Sequence, residues 1–295
     1  MISFIKKVLK DFSDDECGVR AAALAYYTIF ALPPLLVLLM MLVGLVWDPA
    51  EVQTALETQF SNLVGPDGGR AVHDMLVHAK RPRAGGFYAT LIGSIALLFG
   101  AVGAFMQLQG ALNRAWEVKP DPSQGGIKRF VMKRLLSLGM ILGVGFLLIV
   151  SLSVSALLSA LSTKISFPAA AFSALDLGLS FTVMAVMFAA IYRFLPDAEV
   201  EWRDVWMGAG VTSLLFVLGK FGIGFYLGQS APGDAFGAAS ALAIILVWVY
   251  YAGMIVLFGA EFTQAWAERR GARINPEKGA IHVEQREVVS SAPRA

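Results

Sequence analysis

The sequence predicts an all-α membrane protein. It reads as a polytopic bundle of six transmembrane helices, with an N-terminal interfacial helix and two short amphipathic helices in the first outside loop. Three observations lead there. Of 295 residues, 57% are hydrophobic and 16% charged, against about 45–50% and about 25% in soluble domains. One folded surface cannot hide that excess from water. The remaining charges leave long gaps, each near the roughly 20 residues that a bilayer core requires. Lysine and arginine also divide unequally between the two sides that these gaps define. The same apolar content excludes a disordered chain, and the single cysteine, Cys17, excludes a disulfide scaffold.

The first element is a basic amphipathic helix. Ile2, Ile5, Val8, Leu9 and Phe12 recur at helical spacing while Lys6, Lys7 and Lys10 fall elsewhere. It is expected on the inner leaflet, its lysines toward anionic headgroups, and it lacks the cleavage pattern of a signal peptide. Asp14 and Asp15 are expected to cap or start the first span. The spans run over about 21–47, 86–112, 135–162, 172–192, 205–228 and 237–261, in one domain covering 1–267. Trp47, Tyr192, Trp206 and Trp266 stand at their ends as an aromatic belt.

Between spans one and two, Val52, Leu56, Phe60 and Leu63 make one helical stripe and Val72, Met75, Leu76 and Ala79 another. The sequence Gly-Pro-Asp-Gly-Gly at 65–69 separates them as a turn. Residues 268–295 lose apolar periodicity and are expected to form a loosely ordered cytoplasmic tail. With both termini inside, eighteen of the 24 Lys and Arg residues fall on the inner side and five on the outer, with Lys220 in the membrane. That bias puts the termini in the cytoplasm, although Lys80, Arg81 and Arg83 crowd the outer end of span two.

Within the spans, a few residues call for more than packing. Pro33 and Pro34 interrupt span one, one to two turns after Tyr26 and Tyr27, and are expected to kink or split it. A static kink and a broken helix lining a cavity both fit. Lys220 lies past the middle of span five, where an ammonium costs roughly 2.5–3.5 kcal/mol on insertion scales unless paired or hydrated. It either snorkels outward or pairs with Asp176 near the start of span four. Glu261 and Gln264 stand at the inner mouth of span six, three residues apart, within reach of a polar cluster with Arg20 and Arg114. Gly139 and Gly143, and again Gly224 and Gly228, have the spacing of close helix contacts.

Catalytic signals are lacking. Asp74 and His78 have metal-ligand spacing, but on an amphipathic surface helix this is more often a solvated face. The sequence holds no H-E-x-x-H, G-x-S-x-G or Walker A pattern. No catalytic residue, metal site or cofactor is expected, and the protein reads as a non-enzyme. The basic stretch 114–134 flanks two spans, so membrane lipids rather than nucleic acid are its expected partner.

The run Ala21–Leu36, containing Ala-Tyr-Tyr-Thr-Ile-Phe-Ala-Leu-Pro-Pro, resembles the opening motif of the bacterial YihY/BrkB family of inner-membrane proteins. Phe236–Tyr251, continuing to Leu257-Phe-Gly-Ala-Glu-Phe-Thr-Gln264, is a longer match. Ala111–Trp116, Arg193–Asp197 and Trp202–Asp204 also look like the family. The proline pair, and Ala239-Ser240-Ala241 in place of a glycine, depart from its pattern. The resemblance implies a six-span inner-membrane protein of the envelope, whose relatives have been connected with lipid export and with resistance to host killing. The family also carries an old ribonuclease BN label. A metal-dependent nuclease needs clustered histidines and acids, and the expected cytoplasmic side offers only His282. The function expected is therefore transporter-like or lipid-handling, with a lipid or small-molecule substrate. A non-catalytic scaffold for envelope complexes is the alternative.

Overall fold

The computed structural model describes residues 2–45, 47–80, 103–124, 169–229 and 240–283, with Gly139 and Gly143. In chain order the elements are α1 (Ile2–Asp14), α2 (Cys17–Val43), α3 (Pro49–Val64) and α4 (Pro66–Lys80). Then come α5 (103–115) and β1 (Val118–Pro120), followed by α6 (Ala169–Phe194), β2 (Ala198–Glu199), α7 (Trp202–Gln229) and α8 (Ser240–Arg269). Strands β3 (Asn275–Pro276) and β4 (Ala280–His282) end the described chain.

Among the described residues, three helical segments are long and apolar enough to cross a membrane: Cys17–Met41, Leu177–Phe194 and Leu242–Arg269. They coincide with expected spans one, four and six. The fifth expected span is a continuous helix within α7. Of the third, only Gly139 and Gly143 are described, both helical and exposed; the rest of it and most of the second lie outside the described residues.

Helix α8 is the axis of the packing, touching α1, α2 and α7 along its length. Its crossing with α7 is built from two matching motifs, Gly208-x-x-x-Thr212 and Gly259-x-x-x-Thr263. A Cβ on Gly208 would overlap Thr263 Oγ1, and one on Gly259 would overlap Thr212 Oγ1 and the Tyr192 hydroxyl. Each glycine therefore receives the threonine of the other helix, the close approach that small residues permit in lipid. Both threonine hydroxyls donate back to the carbonyl four residues earlier, Gly208 at 2.8 Å and Gly259 at 2.7 Å. The surroundings of Gly224 and Gly228, where a second close contact is expected, lie outside the described residues.

Several expectations are corrected. Helix α2 is not split: it runs from Cys17 to Val43 through Pro33 and Pro34. Ala31, Leu32, Pro34 and Leu36 are buried along this stretch. Asp14 ends α1 and Asp15 lies in the link, so neither caps α2. The N-cap position belongs to Glu16, in a left-handed conformation (φ 53°) without a side-chain cap. The turn at 65–69 shrinks to Gly65, at φ 92°, because Pro66 starts α4 at once and Asp67 serves as a first-turn acid.

The amphipathic α3 and α4 pack on each other and on α2 and α8. Val52, Leu56, Val72 and Leu76 join the same buried cluster as Leu36 and Leu39 of α2. Finally, the tail from 268 is not loose where it is described. β4 pairs antiparallel with β1 (Val118 opposite His282), and β3 with β2 (Ala198 opposite Pro276).

Candidate functional site

The polar side chains that the fold buries gather where α1, α5, α6, α7 and α8 end. The α1–α2 link brings Asp15 beside α5, where Arg114 Nε lies 2.8 Å from its carboxylate, while Arg20 Nε donates to the Asp15 carbonyl at 3.0 Å. One turn of α5 supplies two further ties. Asn113 Nδ2 donates to Asp197 Oδ2 at 2.7 Å and its carbonyl accepts from the Asp197 backbone at 2.8 Å. The buried Trp116 indole donates to the Ala260 carbonyl of α8 at 3.1 Å. Gln109 adds a second donor to Asp197 at 3.1 Å. On the far side, Arg270 reaches the buried Asp204 at 2.9 Å and Glu201 at 3.2 Å. Arg193 bonds the Val200 carbonyl and stands over the Trp202 ring.

Helix α1 closes this end. Phe4, Val8 and Phe12 line one face: Phe4 packs edge-on to Phe262 (5.2 Å between centroids), and Phe12 meets Phe258. Val8 is fully buried. Ile2, Ile5 and Leu9, expected on the same stripe, are exposed. Lys7 bridges Asp11 (2.8 Å) and Glu268 (2.7 Å). Burial works against its charge, and the two carboxylates more than offset this, holding Lys7 above its usual value. Burial likewise holds the Asp15 and Asp204 carboxyls above the ordinary range, against the pull of Arg114 and Arg270.

Inside this frame sits Glu261. The sequence places it at the mouth of span six, yet α8 continues to Arg269, which leaves the carboxyl 1% exposed within the bundle. Its Oε1 accepts from the Cys17 thiol at 3.5 Å. Its Oε2 is buried with no hydrogen-bond partner among the described residues, and so are Gln264 Oε1 and the Trp266 indole nitrogen. The expected cluster of Glu261 and Gln264 with Arg20 and Arg114 is thus rearranged: both arginines serve Asp15, and Glu261 takes the thiol. Neither Asp15 as a hub nor Cys17 as a donor is signalled by local spacing, since the Asp15–Arg114 and Cys17–Glu261 contacts join distant parts of the chain.

The other expected site residues lie elsewhere. Tyr26 and Tyr27 are exposed, their rings edge to face at 5.8 Å, with Tyr27 facing Gly103 of α5. Lys220 is half-buried in α7. Asp176 belongs to α6, but its side chain, and with it the expected ion pair, lies outside the described residues. The two positions stand eighteen residues from the α6 and α7 ends that the short connection joins, at a common level of the pair. The Asp74–His78 spacing makes no carboxylate–imidazole pair: His78 Nδ1 bonds the Asp74 backbone carbonyl at 2.7 Å. No group of three metal-ligating side chains occurs among the described residues.

Long apolar helices joined at a polar end define the class: an integral α-helical membrane protein. The chain belongs to the BrkB family, because the model of that family, described as virulence factor BrkB, matches residues 8–282. It is similar to a UPF0761 membrane protein of Chromohalobacter salexigens, 29% identical over 91% of this chain and 64% of the relative. A UPF0761 membrane protein of Vibrio vulnificus is 29% identical over 91% and 83%. One of Pseudomonas paraeruginosa is 31% identical over 88% and 61%. The chain thus spans less than two thirds of some relatives it matches. No solved structure matches it. The relatives are named as membrane proteins, which gives the ribonuclease label no support. The segments Ala111–Trp116, Arg193–Asp197, Trp202–Asp204 and Leu257–Gln264, through which the sequence resembles the family, are those that assemble this polar end.

Proposed function

We propose that the chain is a six-span, transporter-like protein of the bacterial inner membrane, moving a lipid or another small molecule, with both termini cytoplasmic. The single observation that carries this reading is Glu261, a carboxyl 1% exposed, one oxygen of which has no donor among the described residues. An ionisable group kept within a span is costly and marks a pathway or coupling site by default. A scaffold packed dry would be expected to satisfy or omit such a group. Orientation is supported by geometry as well as charge count. The segments assigned inside by the lysine and arginine bias, namely α1 and those after α5, α6 and α8, meet at one end through the Asp15–Arg114 pair and the two strand pairings.

The test is reconstitution in liposomes with a panel of lipids and small anions. Movement of one of them, lost in Glu261→Gln or in Lys220→Ala, is the expected result. No movement of any candidate, with envelope proteins recovered by crosslinking, overturns transport in favour of the scaffold.

A further inference from the structure

We infer that Glu261 holds an exchangeable monovalent cation, a proton or a sodium ion, at its Oε2, with Gln264 one helical turn along as the second oxygen. The inference deepens the transport reading, for which it names the coupling ion, and rests on that reading for the coupling role alone.

The argument starts from the accounting of charge. A carboxylate removed from water costs several kcal/mol unless it is paired and its lone pairs are satisfied. Cys17 supplies one weak donor to Oε1, and no donor reaches Oε2 among the described residues. The cations nearby are engaged: Lys7 with Asp11 and Glu268, Arg114 with Asp15, and Arg20 with the Asp15 carbonyl. The charged groups around Glu261 are Lys7 and Asp11 from α1, Asp15 from the link, Arg20 from α2 and Arg114 from α5. Helix α7 crosses α8 at Gly259 and Thr263 with its hydroxyl turned back on its own backbone. Asp15 and Asp11 add like charge, and among the described residues no cation forms a salt bridge with Glu261.

A small ion supplies a balancing charge that no side chain among the described residues provides. Gln264 Oε1, three residues on and likewise buried without a partner, is an uncharged oxygen suited to a hard cation. Two oxygens and a thiol from three side chains, only one of them charged, suit a single positive charge. They fall short of the ligand sets that divalent ions require.

The protein carries its own reporter. Cys17 is the sole cysteine, so its one S–H stretching band reads the hydrogen bond to Oε1. A cation arriving at Oε2 draws electron density from the carboxyl and weakens that bond. Infrared difference spectra of the full chain in lipid nanodiscs would be recorded in two arms, acidification in sodium-free buffer and sodium addition at alkaline pH. A rise in S–H frequency is expected in one arm, with loss of a carboxylate band if acid causes it or a shift of that band if sodium does, and it is absent in Glu261→Gln. A response to acid assigns a proton, and one to sodium assigns sodium. An unmoved S–H band in both arms of the unmutated protein overturns the inference, whether or not the variant folds. So does a shift that disappears in Asp15→Asn while Glu261→Gln retains it. A band shift without any substrate movement in liposomes removes the coupling role and leaves the site standing.

Discussion

The polar end around Asp15, Asp197 and Glu261 and the α3–α4 hairpin are both folded parts of one protein, held by different forces. The hairpin contributes Val52, Leu56, Val72 and Leu76 to the core, while its polar contacts sit at the surface: His73 with Glu57 at 2.9 Å and Arg70 with Asp67 at 2.7 Å. At the other region, buried carboxyls, an amide and an indole each meet a named partner on a distant element. Apolar burial is undirected and tolerates shape-conserving exchange. Buried hydrogen bonds specify partner and register, and breaking one leaves its mate stranded. Four of the family-like segments, Ala111–Trp116, Arg193–Asp197, Trp202–Asp204 and Leu257–Gln264, lie in the second kind of region, while Ala21–Leu36 contributes Leu32 and Leu36 to the apolar core.

Four substitutions sharpen that contrast. The largest effect is expected from Gly259→Leu, because even a Cβ there overlaps Thr212 and Tyr192 across the α7–α8 crossing. Size-exclusion chromatography in detergent should show loss of the monodisperse protein, and a normal profile would refute the crossing. Leu76→Ala, at a buried hairpin position, should cost about 2–5 kcal/mol in denaturant unfolding followed by circular dichroism. It should leave the Cys17 infrared band in place. Asn113→Leu removes both of its hydrogen bonds to Asp197 and should cost about 1–3 kcal/mol, with protection from amide exchange falling first at 197 and its partner Glu277. Arg70→Ala, which breaks an exposed pair, should change stability by at most about 1 kcal/mol; a larger loss would mean that the hairpin is less purely apolar than described.

A weaker, pH-dependent signature belongs to the polar end. The Asp15 and Asp204 carboxyls are held by burial above their usual value of 3.8, so the folded state binds their protons more tightly than the unfolded chain does. Stability contributed by these groups therefore falls as pH rises from 3.8 through their folded values. Arg114→Gln should steepen that slope in thermal unfolding series, since the guanidinium is what opposes the rise at Asp15.

Much of the helical layout was legible because charge gaps and 3.6-residue periodicity are local signals. They locate α1, α2, α3, α4, α6, α7 and α8. The end of α8 was not legible, because an apolar window stops at the first carboxylate, whereas Thr263, Ala265 and Ala267 carry the buried face on beyond Glu261. The strand pairings left no trace for a similar reason. Two or three residues that include Pro120 or Pro276 have neither alternation nor length to read. The α7–α8 crossing escaped notice because each motif pairs glycine with threonine rather than with a second glycine. Only juxtaposition reveals that each fills the other's notch. Of the site, Glu261 and Gln264 were visible as isolated polar residues, but Cys17 and Asp15 acquire a role only from contacts 244 and 99 residues away along the chain.

The strands β3 and β4 carry a consequence for biogenesis. They bind the edges of β2 and β1, yet leave the ribosome after every described helix. Until residues 275–282 have been made, β1 and β2 lack the strand partners they have in the folded chain. Both pairings can therefore form only after α8 has been synthesised.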